Sequence, residues 1–379
     1  MLRKRTTGRE DPDSVKPERK KPSDETRVSN TTVSQWSCWG LVSFWMKLFL
    51  LIIFTPAFLN YASLQREGQL LTPTGAQLID IGLGQKIHLL CKGHGRPVVM
   101  LDSPAGMSSD VWYHVQESLS YSTKVCTYDR AGLGFSRKTL QNETISTEKV
   151  WRSSTTGRMV DDLHRLVKAA DVATPFILVG SELGTLNSRF YSHIHDAQVS
   201  DLVLIDPIPE DVFEEEKWQQ FWYSQLVPSL QMMQFSAAAG LSRLLIILGV
   251  LKPLFQGTNV SEELLQRQKY LLCNPAHQSA AVDEHFFINE SASQVRFKPL
   301  SSKTSVHVIT GESFDDQLPS HLNRVLGELQ REFLKRSYPT ANHIQIQGVD
   351  RHMIYKNPSS VIAHLHKLVS QRQSNQQRQ

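Results

Sequence analysis

Short continuous runs of apolar residues alternate along this chain with segments in which apolar residues recur at helical spacing. The runs Pro97–Leu101 and Lys124–Asp129 are typical of buried strands, and Gly157–Val172 has the spacing of an amphipathic helix. A strand at Phe176–Gly180, a helix, and a strand at Asp201–Asp206 come next. This β-α-β order predicts a parallel sheet that is covered by helices on both faces.

The strand pattern begins with a predicted edge hairpin around Gly82 and Gly84 and is interrupted once, later in the chain. From about Pro207 to Lys303 the segments are helical and aromatic-rich, and the strand–helix order resumes at Ser305. We therefore expect an α/β core that is split by a helical insertion. The predicted segments are a first core part at 76–206, a helical cap at 207–303, a second core part at 304–370 and a disordered Gln-rich tail at 371–379.

The longest apolar stretch, Trp39–Leu59, has 21 residues and a single charge, Lys47. A helix of about 20 apolar residues crosses a bilayer, so the sequence predicts a transmembrane signal-anchor at 38–60. A cleaved signal peptide would begin closer to the N-terminus. Residues 1–37 carry nine Lys and Arg against six Asp and Glu, which is typical of a disordered basic cytosolic tail. The positive-inside rule then predicts a single-pass type II membrane protein with a lumenal or extracellular C-terminal domain, in the secretory pathway.

N-glycosylation sequons and cysteines bear on the same prediction. The sequons at Asn142, Asn259 and Asn289 follow the apolar stretch, whereas the one at Asn30 would be cytosolic and silent. Together with the span, the three favour a glycoprotein domain outside the cytosol. An odd number of cysteines beyond the span leaves at least one thiol unpaired or in an intermolecular link. These cysteines are Cys91, Cys126 and Cys273.

Composition excludes few classes of protein. The hydrophobic content of 40% and charged content of 21% are ordinary for a folded chain, and the net charge is only +4. Nucleic-acid binding requires clustered cations on a folded face, so we predict no nucleic-acid partner. The sequence contains no repeat, metal-ligand cluster or phosphate loop, and we therefore predict neither a metal nor a cofactor. The predicted partners are the membrane and an apolar small-molecule ligand, and the sequence identifies no protein partner.

Three local motifs resemble those of the α/β-hydrolase fold. VCTYDRAGLGFS resembles the Asp-Arg-x-Gly-x-Gly-x-Ser turn after that family's fourth strand. VGSELG resembles its nucleophile elbow, and GVDRHMIYKNP resembles the loop that holds its catalytic histidine. The resemblance covers nearly all of the chain beyond the apolar stretch, and the insertion occupies the place of the family's cap domain. It implies an α/β-hydrolase fold with a mostly parallel sheet and a helical cap, preceded by one transmembrane helix.

The resemblance also bears on the cysteines. In that family's sheet the second and fourth strands are neighbours, which implies that Cys91 lies near Cys126. Two alternatives remain: a disulfide, which a non-cytosolic location permits, or two buried thiols in adjacent strands. Cys273, in the cap, is left over.

The elbow motif carries an unexpected residue at its tip. An elbow needs small residues two positions before and two after the nucleophile, because the strand and the helix approach closely there. Gly180 and Gly184 meet this requirement around Glu182, so Glu182 and not Ser181 occupies the nucleophile position. The resemblance implies His352 as the catalytic base, since it follows the last strand and comes late in the chain.

The resemblance implies an acid and an oxyanion hole as well. Counting back from Pro319 in ITGESFDDQLP selects Asp315 as the acid. The oxyanion donors would be the N–H groups of Leu183 and Ala105. The alternative acids are Asp316 and Asp206, and two departures from the family pattern near the oxyanion hole are Pro104 and Thr185.

Glutamate at the elbow tip leaves two functional hypotheses. A carboxylate would repel the oxyanion of an ester, so serine-type hydrolysis is disfavoured and the protein would be a pseudoenzyme or non-classical, with a capped apolar pocket. Alternatively, Glu182 would act as a carboxylate nucleophile on an epoxide or haloalkane, with His352, Asp315 and cap tyrosines such as Tyr223 or Tyr270.

The cap contains a second apolar stretch, Ser236–Phe255. It is nearly long enough to cross a bilayer, but Arg243 and Lys252 interrupt it. A buried cap helix, a helix that contacts the bilayer and a second transmembrane helix all remain open.

Overall fold

The computed structural model describes residues 38–82, 84–138, 151–255, 260–296, 298, 300, 304–312, 314–315 and 317–378. The chain divides into a short unit, Met1–Phe49, and a large unit, Leu50–Gln379. The predicted tail at 1–37, the sequons at Asn142 and Asn259, and the alternative acid Asp316 lie outside the described residues. Asn289 is described and exposed.

Strands and helices follow each other in the order that the apolar pattern predicts. The strands are β1 (Gln77–Gly82), β2 (Gln85–Lys92), β3 (Val99–Asp102), β4 (Val125–Tyr128), β5 (Phe176–Ser181), β6 (Val199–Ile205), β7 (Ser305–Thr310) and β8 (Asn342–Gln345). Helix α1 (Cys38–Leu70) precedes the sheet, and the helices of the first core part are α2 (Tyr113–Leu119), α3 (Thr156–Ala169) and α4 (Leu183–Ile194). The cap helices are α5 (Glu216–Phe221), α6 (Val227–Ala238), α7 (Leu241–Ile247), α8 (Glu262–Cys273), α9 (Pro275–Phe286) and α10 (Ile288–Val295). The last helices are α11 (Ser320–Ser337), α12 (Met353–Lys356) and α13 (Pro358–Gln377).

Within the described ranges, eight strands form one sheet in the order β1-β2-β4-β3-β5-β6-β7-β8. The pairs β1–β2 and β2–β4 are antiparallel, and the pairs from β4 to β8 are parallel. Strands β3 and β5 are buried at every position. On β5, Leu178 belongs to one buried apolar cluster, whereas Ile177 and Val179 belong to another on the opposite face. The predicted parallel sheet with helices on both faces is confirmed, and the cap separates β6 from β7.

Helix α1 is the element that could cross a membrane. Its segment Trp39–Leu70 has a mean hydropathy of 2.0 over the most apolar window, and none of that window is buried. The helix is longer than the predicted span 38–60 by ten residues at its C-terminal end. A pair of cap helices, Glu216–Ala238 and Leu241–Ile247, would also pass as one span but is bent by 90°.

The prediction of a disordered tail from residue 371 is wrong, because α13 continues to Gln377. Glutamine is a good helix former, and two side chains tie the last turns to the core. Arg372 donates to both carboxylate oxygens of Asp201, and Gln373 Nε2 donates to the carbonyls of Arg96 and Ser122.

Cys91 and Cys126 stand directly opposite each other in β2 and β4, and a disulfide joins them. Their Cα atoms are 4.0 Å apart. Cys273, at the end of α8, is buried as a free thiol.

A buried charged network fixes the cap to the core. Arg130, in the turn after β4, donates from Nη1 to Asp102 Oδ1 at 2.6 Å. It also donates from Nε and Nη2 to the two carboxylate oxygens of Glu284 on α9, at 2.7 and 2.8 Å. All three side chains are almost fully buried. Two elements of the core and one helix of the cap therefore meet at a single guanidinium.

A buried histidine provides a second link between cap and core. His277 on α9 accepts a hydrogen bond at its Nδ1 from the Gly134 N–H. Burial lowers the pKa of His277 to about 4, because the charged imidazolium would lose its hydration. The folded protein therefore keeps His277 neutral in a pH range where the unfolded chain protonates it.

Stability is accordingly expected to fall as the pH drops from about 6.5 towards 4, since the unfolded state then binds a proton that the folded state does not. The contribution of His277 between pH 7 and pH 5 is about 2 kcal/mol. Urea unfolding at the two pH values measures this loss. In His277→Asn, whose amide oxygen can accept from Gly134, the loss should be smaller by that amount, and an equal loss in both proteins would contradict the assignment.

Candidate active site

The elbow is a tight connection between β5 and α4. Glu182 lies between the last strand residue and the first helix residue, at φ 48° and ψ −111°. A Cβ on Gly180 would lie 2.2 Å from the Gly184 carbonyl oxygen, and a Cβ on Gly184 would lie 2.5 Å from the Asp102 carbonyl oxygen. Sterics thus require glycine on both sides of the tip, as the sequence predicts. Ser181 is 1% exposed, and its hydroxyl has no hydrogen-bond partner among the described residues.

A cavity of about 140 Å³ lies above the elbow, between the core and the cap. It brings together four of the residues singled out in the sequence: Glu182, His352, Asp315 and Ala105. The cap contributes apolar and aromatic walls, which include Phe213, Trp218, Phe221 and Trp222. The cavity therefore combines a polar floor with an apolar roof, which is the usual composition of a small-molecule site.

The Glu182 carboxylate is half-buried on the cavity floor. Among the described residues, this carboxylate has no hydrogen-bond or ion-pair partner. Burial raises the pKa of the Tyr355 phenol, and the negative charge of Glu182 raises that pKa further. The carboxylate is consequently free to accept a hydrogen bond from a ligand.

His352 follows β8 and is 7% exposed. Its Nε2 lies 3.8 Å from Asp315 Oδ2, and its Nδ1 lies 3.6 Å from Asp350 Oδ2. Its backbone N–H donates to Asp350 Oδ1 at 2.9 Å. Within the described residues, the ion pairs of His352 are with these two aspartates and not with Glu182. Both ring nitrogens thus face carboxylates, whereas a triad requires one of them to face the nucleophile.

Asp206, one of the alternative acids, has its carboxylate hydrogen-bonded to residues other than His352. Its Oδ2 accepts from Arg351 Nε at 2.8 Å, and its Oδ1 accepts from Gln330 Nε2 at 2.8 Å. Burial lowers the pKa of Arg351, but the negative charges of Asp206 and, to a smaller extent, Glu182 hold that pKa above its ordinary value. Arg351 also lines the cavity, so a permanent positive charge lies near Glu182.

The loop after β3, which contains Ala105, is hydrogen-bonded to the buried charged network around Arg130. Arg130 donates to the carbonyls of Ser103 and Pro104 at 2.7 Å, and the Gly106 N–H donates to Glu284 Oε2 at 2.7 Å. Ala105, between these anchors, lines the cavity. Leu183 is the first residue of α4, where backbone N–H groups have no partner inside the helix.

Comparison with known proteins agrees with this architecture. Residues 94–237 match the family model described as alpha/beta hydrolase fold. The Cif epoxide hydrolase of Acinetobacter nosocomialis superposes with a TM-score of 0.58 at 16% identity, covering 82% of this chain and 96% of that one. A serine hydrolase involved in carbazole degradation superposes with a TM-score of 0.52 at 17% identity, covering 78% and 98%. The chain has the α/β-hydrolase fold.

Curated relatives match shorter segments. The "probable transporter efuK" of Hormonema carpetanum is 27% identical over 153 residues, which is 38% of this chain and 21% of that protein. The uncharacterised protein YqjL of Bacillus subtilis is 26% identical over 116 residues, 31% of this chain and 42% of that protein. The chain thus spans less than half the length of these relatives. Because proteins named as epoxide and serine hydrolases share the α/β-hydrolase fold with this chain, the fold does not decide the chemistry.

Besides Arg351, the residues His285 and Asp350 of this site were missed by the sequence analysis. His285 on α9 lines the cavity, and its ring stacks on Trp222 with centroids 5.7 Å apart. Burial lowers the pKa of His285, and its Nδ1 lies 2.7 Å from the Ala281 carbonyl oxygen. The neutral ring therefore donates from Nδ1 and leaves Nε2 as an acceptor. For Asp350, the one feature of the sequence that could have indicated a place in the site is its position two residues before His352.

The cap tyrosines considered for polarising an epoxide lie elsewhere. The Tyr223 hydroxyl donates to the Phe286 carbonyl at 3.3 Å, and the Tyr270 hydroxyl accepts from Asn274 Nδ2 at 3.3 Å. Neither is among the described residues that line the cavity above Glu182. Neither of these two phenols is therefore placed to donate to an epoxide oxygen in this cavity.

Proposed function

We propose that this protein is a membrane-anchored α/β-hydrolase-fold protein whose elbow cavity binds a small apolar ligand and does not perform serine-type hydrolysis. The observation that carries the proposal is the Glu182 carboxylate, which faces the cavity without a direct partner among the described residues. An oxyanion formed there would lie beside a negative charge, at the position where a serine hydrolase has its serine. The site is accordingly non-classical, and the protein is a pseudoenzyme with respect to ester hydrolysis.

The cavity defines the chemistry of the ligand. An enclosed apolar cavity of about 150 Å³ can hold benzene, so a volume of about 140 Å³ suits a single ring or a short branched alkyl group. The aromatic wall at Trp218 and Trp222 favours such a group. The unpaired carboxylate of Glu182 favours a ligand that ends in a hydrogen-bond donor.

We expect benzyl alcohol to bind more tightly than toluene, which has the same ring but no hydroxyl. A hydrogen bond to a charged acceptor contributes about 1.5–3 kcal/mol, so the preference should be roughly tenfold or more. Ligand-observed NMR titration of the full-length protein in detergent measures both affinities. In Glu182→Leu the preference should disappear while toluene still binds, and an unchanged preference would remove Glu182 from the site.

A second candidate function is hydrolysis with Glu182 as a carboxylate nucleophile, assisted by His352 and Asp315 or an alternative acid. The likeness to the Cif epoxide hydrolase and the presence of all three side chains at one cavity favour it. In this reaction the carboxylate attacks an epoxide carbon, a C–O bond forms, the epoxide C–O bond breaks, and the alkoxide takes a proton. The absence of a tyrosine from the described cavity lining weighs against it, because the alkoxide then lacks a phenol as its proton donor.

Styrene oxide separates the two candidates, since it carries the same ring as benzyl alcohol. Under the binding proposal, mass spectrometry of the digested protein finds no adduct on the peptide that contains Glu182. An adduct that is lost in Glu182→Gln would establish the carboxylate nucleophile and overturn the first proposal.

The topology is a further part of the proposal: α1 is a signal-anchor and the α/β-hydrolase domain is lumenal or extracellular. The Cys91–Cys126 disulfide supports it, because disulfides persist in oxidising compartments. The exposed Asn289 side chain supports it as an acceptor site. We expect the protein from secretory-pathway membranes to shift to lower mass with endoglycosidase, and an unshifted chain in which Asn289→Gln also changes nothing would argue against glycosylation at this residue.

A further inference from the structure

The cap helices α6 and α7 carry their apolar side chains outward. Five large apolar side chains on this pair and the turn after it are between 63% and 74% exposed: Met232, Phe235, Ile247, Leu248 and Val250. Soluble proteins seldom expose contiguous apolar groups on this scale, and a patch of this kind marks an interface with another apolar surface. We name these five residues the outer cap patch.

The polar side chains of α7 point the opposite way. Ser242 is fully buried, and its hydroxyl donates to Ser236 Oγ at 3.0 Å. Arg243 donates from both terminal nitrogens to the two carboxylate oxygens of Glu67 on α1, at 2.8 and 2.7 Å. It also donates from Nε to Asn60 Oδ1. A helix with its charge turned inward and its apolar face outward has the pattern of an element surrounded by lipid rather than water.

The outer cap patch lies beside the apolar part of α1. Gly240, at the bend between α6 and α7, is so close to α1 that a Cβ there would lie 2.3 Å from the Pro56 carbonyl oxygen. The buried Asn60 side chain donates to the carbonyls of Ala237 and Cys273, which fixes α1 against the ends of α6 and α8. The bend is therefore held at the level of Pro56.

The position along α1 gives the depth of the bend. Around Pro56, the side chains of Phe54, Phe58 and Tyr61 are all more than half exposed, whereas polar residues predominate from Gln65 onward. Pro56 lies five residues before Tyr61, which is about 7.5 Å along a helix that rises 1.5 Å per residue. Helices that lie in a membrane interface bury their apolar face by about 5–10 Å.

We propose that the bend between α6 and α7 is inserted into the same bilayer leaflet from which α1 emerges, so that the outer cap patch contacts lipid acyl chains. The inference rests on the proposed membrane anchor, and it goes beyond that anchor because it adds a second contact that comes from the cap itself. An apolar patch can be covered by another protein or by lipid. We favour lipid, because the apolar part of α1, the proposed membrane anchor, lies directly beside this patch. The π-helical turn Trp222–Leu226 leads from the cavity wall directly into α6, so the inserted element is continuous with the roof of the ligand cavity.

Spin labels on the full-length protein in lipid nanodiscs test this directly. Cys38 and the free Cys273 are first replaced, by Cys38→Ser and Cys273→Ala, and the disulfide between Cys91 and Cys126 is kept. Single labels are then introduced by Ile247→Cys on α7, by Phe54→Cys on α1 and by Tyr121→Cys on the core, where the side chain is 85% exposed. Collision rates with oxygen, which concentrates in lipid, and with a water-soluble nickel chelate report the surroundings of each label.

The expected ratio of oxygen to nickel collisions at Ile247→Cys is close to that at Phe54→Cys and at least about fivefold above that at Tyr121→Cys, as for a label in acyl chains. A label at Leu248→Cys provides a second reading if the first variant does not fold. A lipid-like ratio at Phe54→Cys with a water-like ratio at both positions of the outer cap patch would overturn the inference and leave the anchor intact. A water-like ratio at Phe54→Cys would remove the anchor itself. Low collision rates with both reagents at α7 would show that protein covers the patch, which also overturns the inference.

Discussion

Arg130→Met is expected to lower the free energy of unfolding by about 3–5 kcal/mol, the cost of leaving a buried charge without its partner. The guanidinium holds Asp102 and Glu284 in a site where all three side chains are almost fully buried. Methionine fills much of the same volume but leaves two carboxylates close together. Because Arg130 also donates to the Ser103 and Pro104 carbonyls, the loop after β3 loses two hydrogen bonds in the same variant.

The matched control is Arg165→Met, which removes a surface ion pair with Asp161 within one helix. Both side chains of that pair are about 40% exposed, so the loss should stay within about 1 kcal/mol. Urea unfolding followed by circular dichroism in detergent measures the two variants side by side. Glu284→Met added to Arg130→Met should recover part of the stability, since it removes one of the stranded carboxylates. Equal effects of the two arginine variants would contradict the structural role of the network.

The fold was predictable where the physical cause is local. Glycine at 180 and 184 is required by contacts below 2.6 Å that any Cβ would make, so the elbow and the position of Glu182 at its tip follow from the spacing alone. The strands β3 and β5 are buried at every position, and their sequences are correspondingly apolar up to the polar residues that end them, Asp102 and Ser181. The neighbouring positions of Cys91 and Cys126 followed from the sheet order that the resemblance implies.

Prediction was limited where a side chain's role depends on distant parts of the chain. His352 could be placed at the cavity from its position after the last strand, but its neighbour Asp350 and the orientation of its ring could not. His285 reaches the cavity only because α9 packs over the loop after β3, and no periodicity in the cap encodes that contact. The stretch Ser236–Phe255 was ambiguous for a related reason: an apolar run has the same composition whether protein or lipid surrounds it.

The charged residues around Glu182 bear on the choice between the two proposed functions. The charge of Glu182, after that of Asp206, helps to hold the pKa of the buried Arg351 guanidinium above its ordinary value, so the carboxylate lies near a permanent positive charge. His352 lines the same cavity, and its ion pairs among the described residues are with Asp315 and Asp350 and not with Glu182.

Gly180→Ala is the second variant with a large expected effect, because the added Cβ would lie 2.2 Å from the Gly184 carbonyl oxygen and 2.6 Å from Ser188 Oγ. Backbone atoms of α4 would have to move away from β5, and overpacking of this kind costs about 1–3 kcal/mol, with the upper end expected where the obstacle is backbone. The same movement would displace Glu182 from the cavity floor. Benzyl alcohol should therefore lose its advantage over toluene in whatever fraction of the variant folds.

Ser181→Ala is the matched control, since it also introduces alanine into the elbow but adds no atom. The Ser181 hydroxyl is buried and has no hydrogen-bond partner among the described residues, so its removal should be neutral or stabilising by up to about 1 kcal/mol. Benzyl alcohol should keep its preference in this variant, because Glu182 stays in place. If Ser181→Ala abolished ligand binding while Gly180→Ala did not, the motif would have to be centred on Ser181, and the assignment of Glu182 to the tip would be wrong.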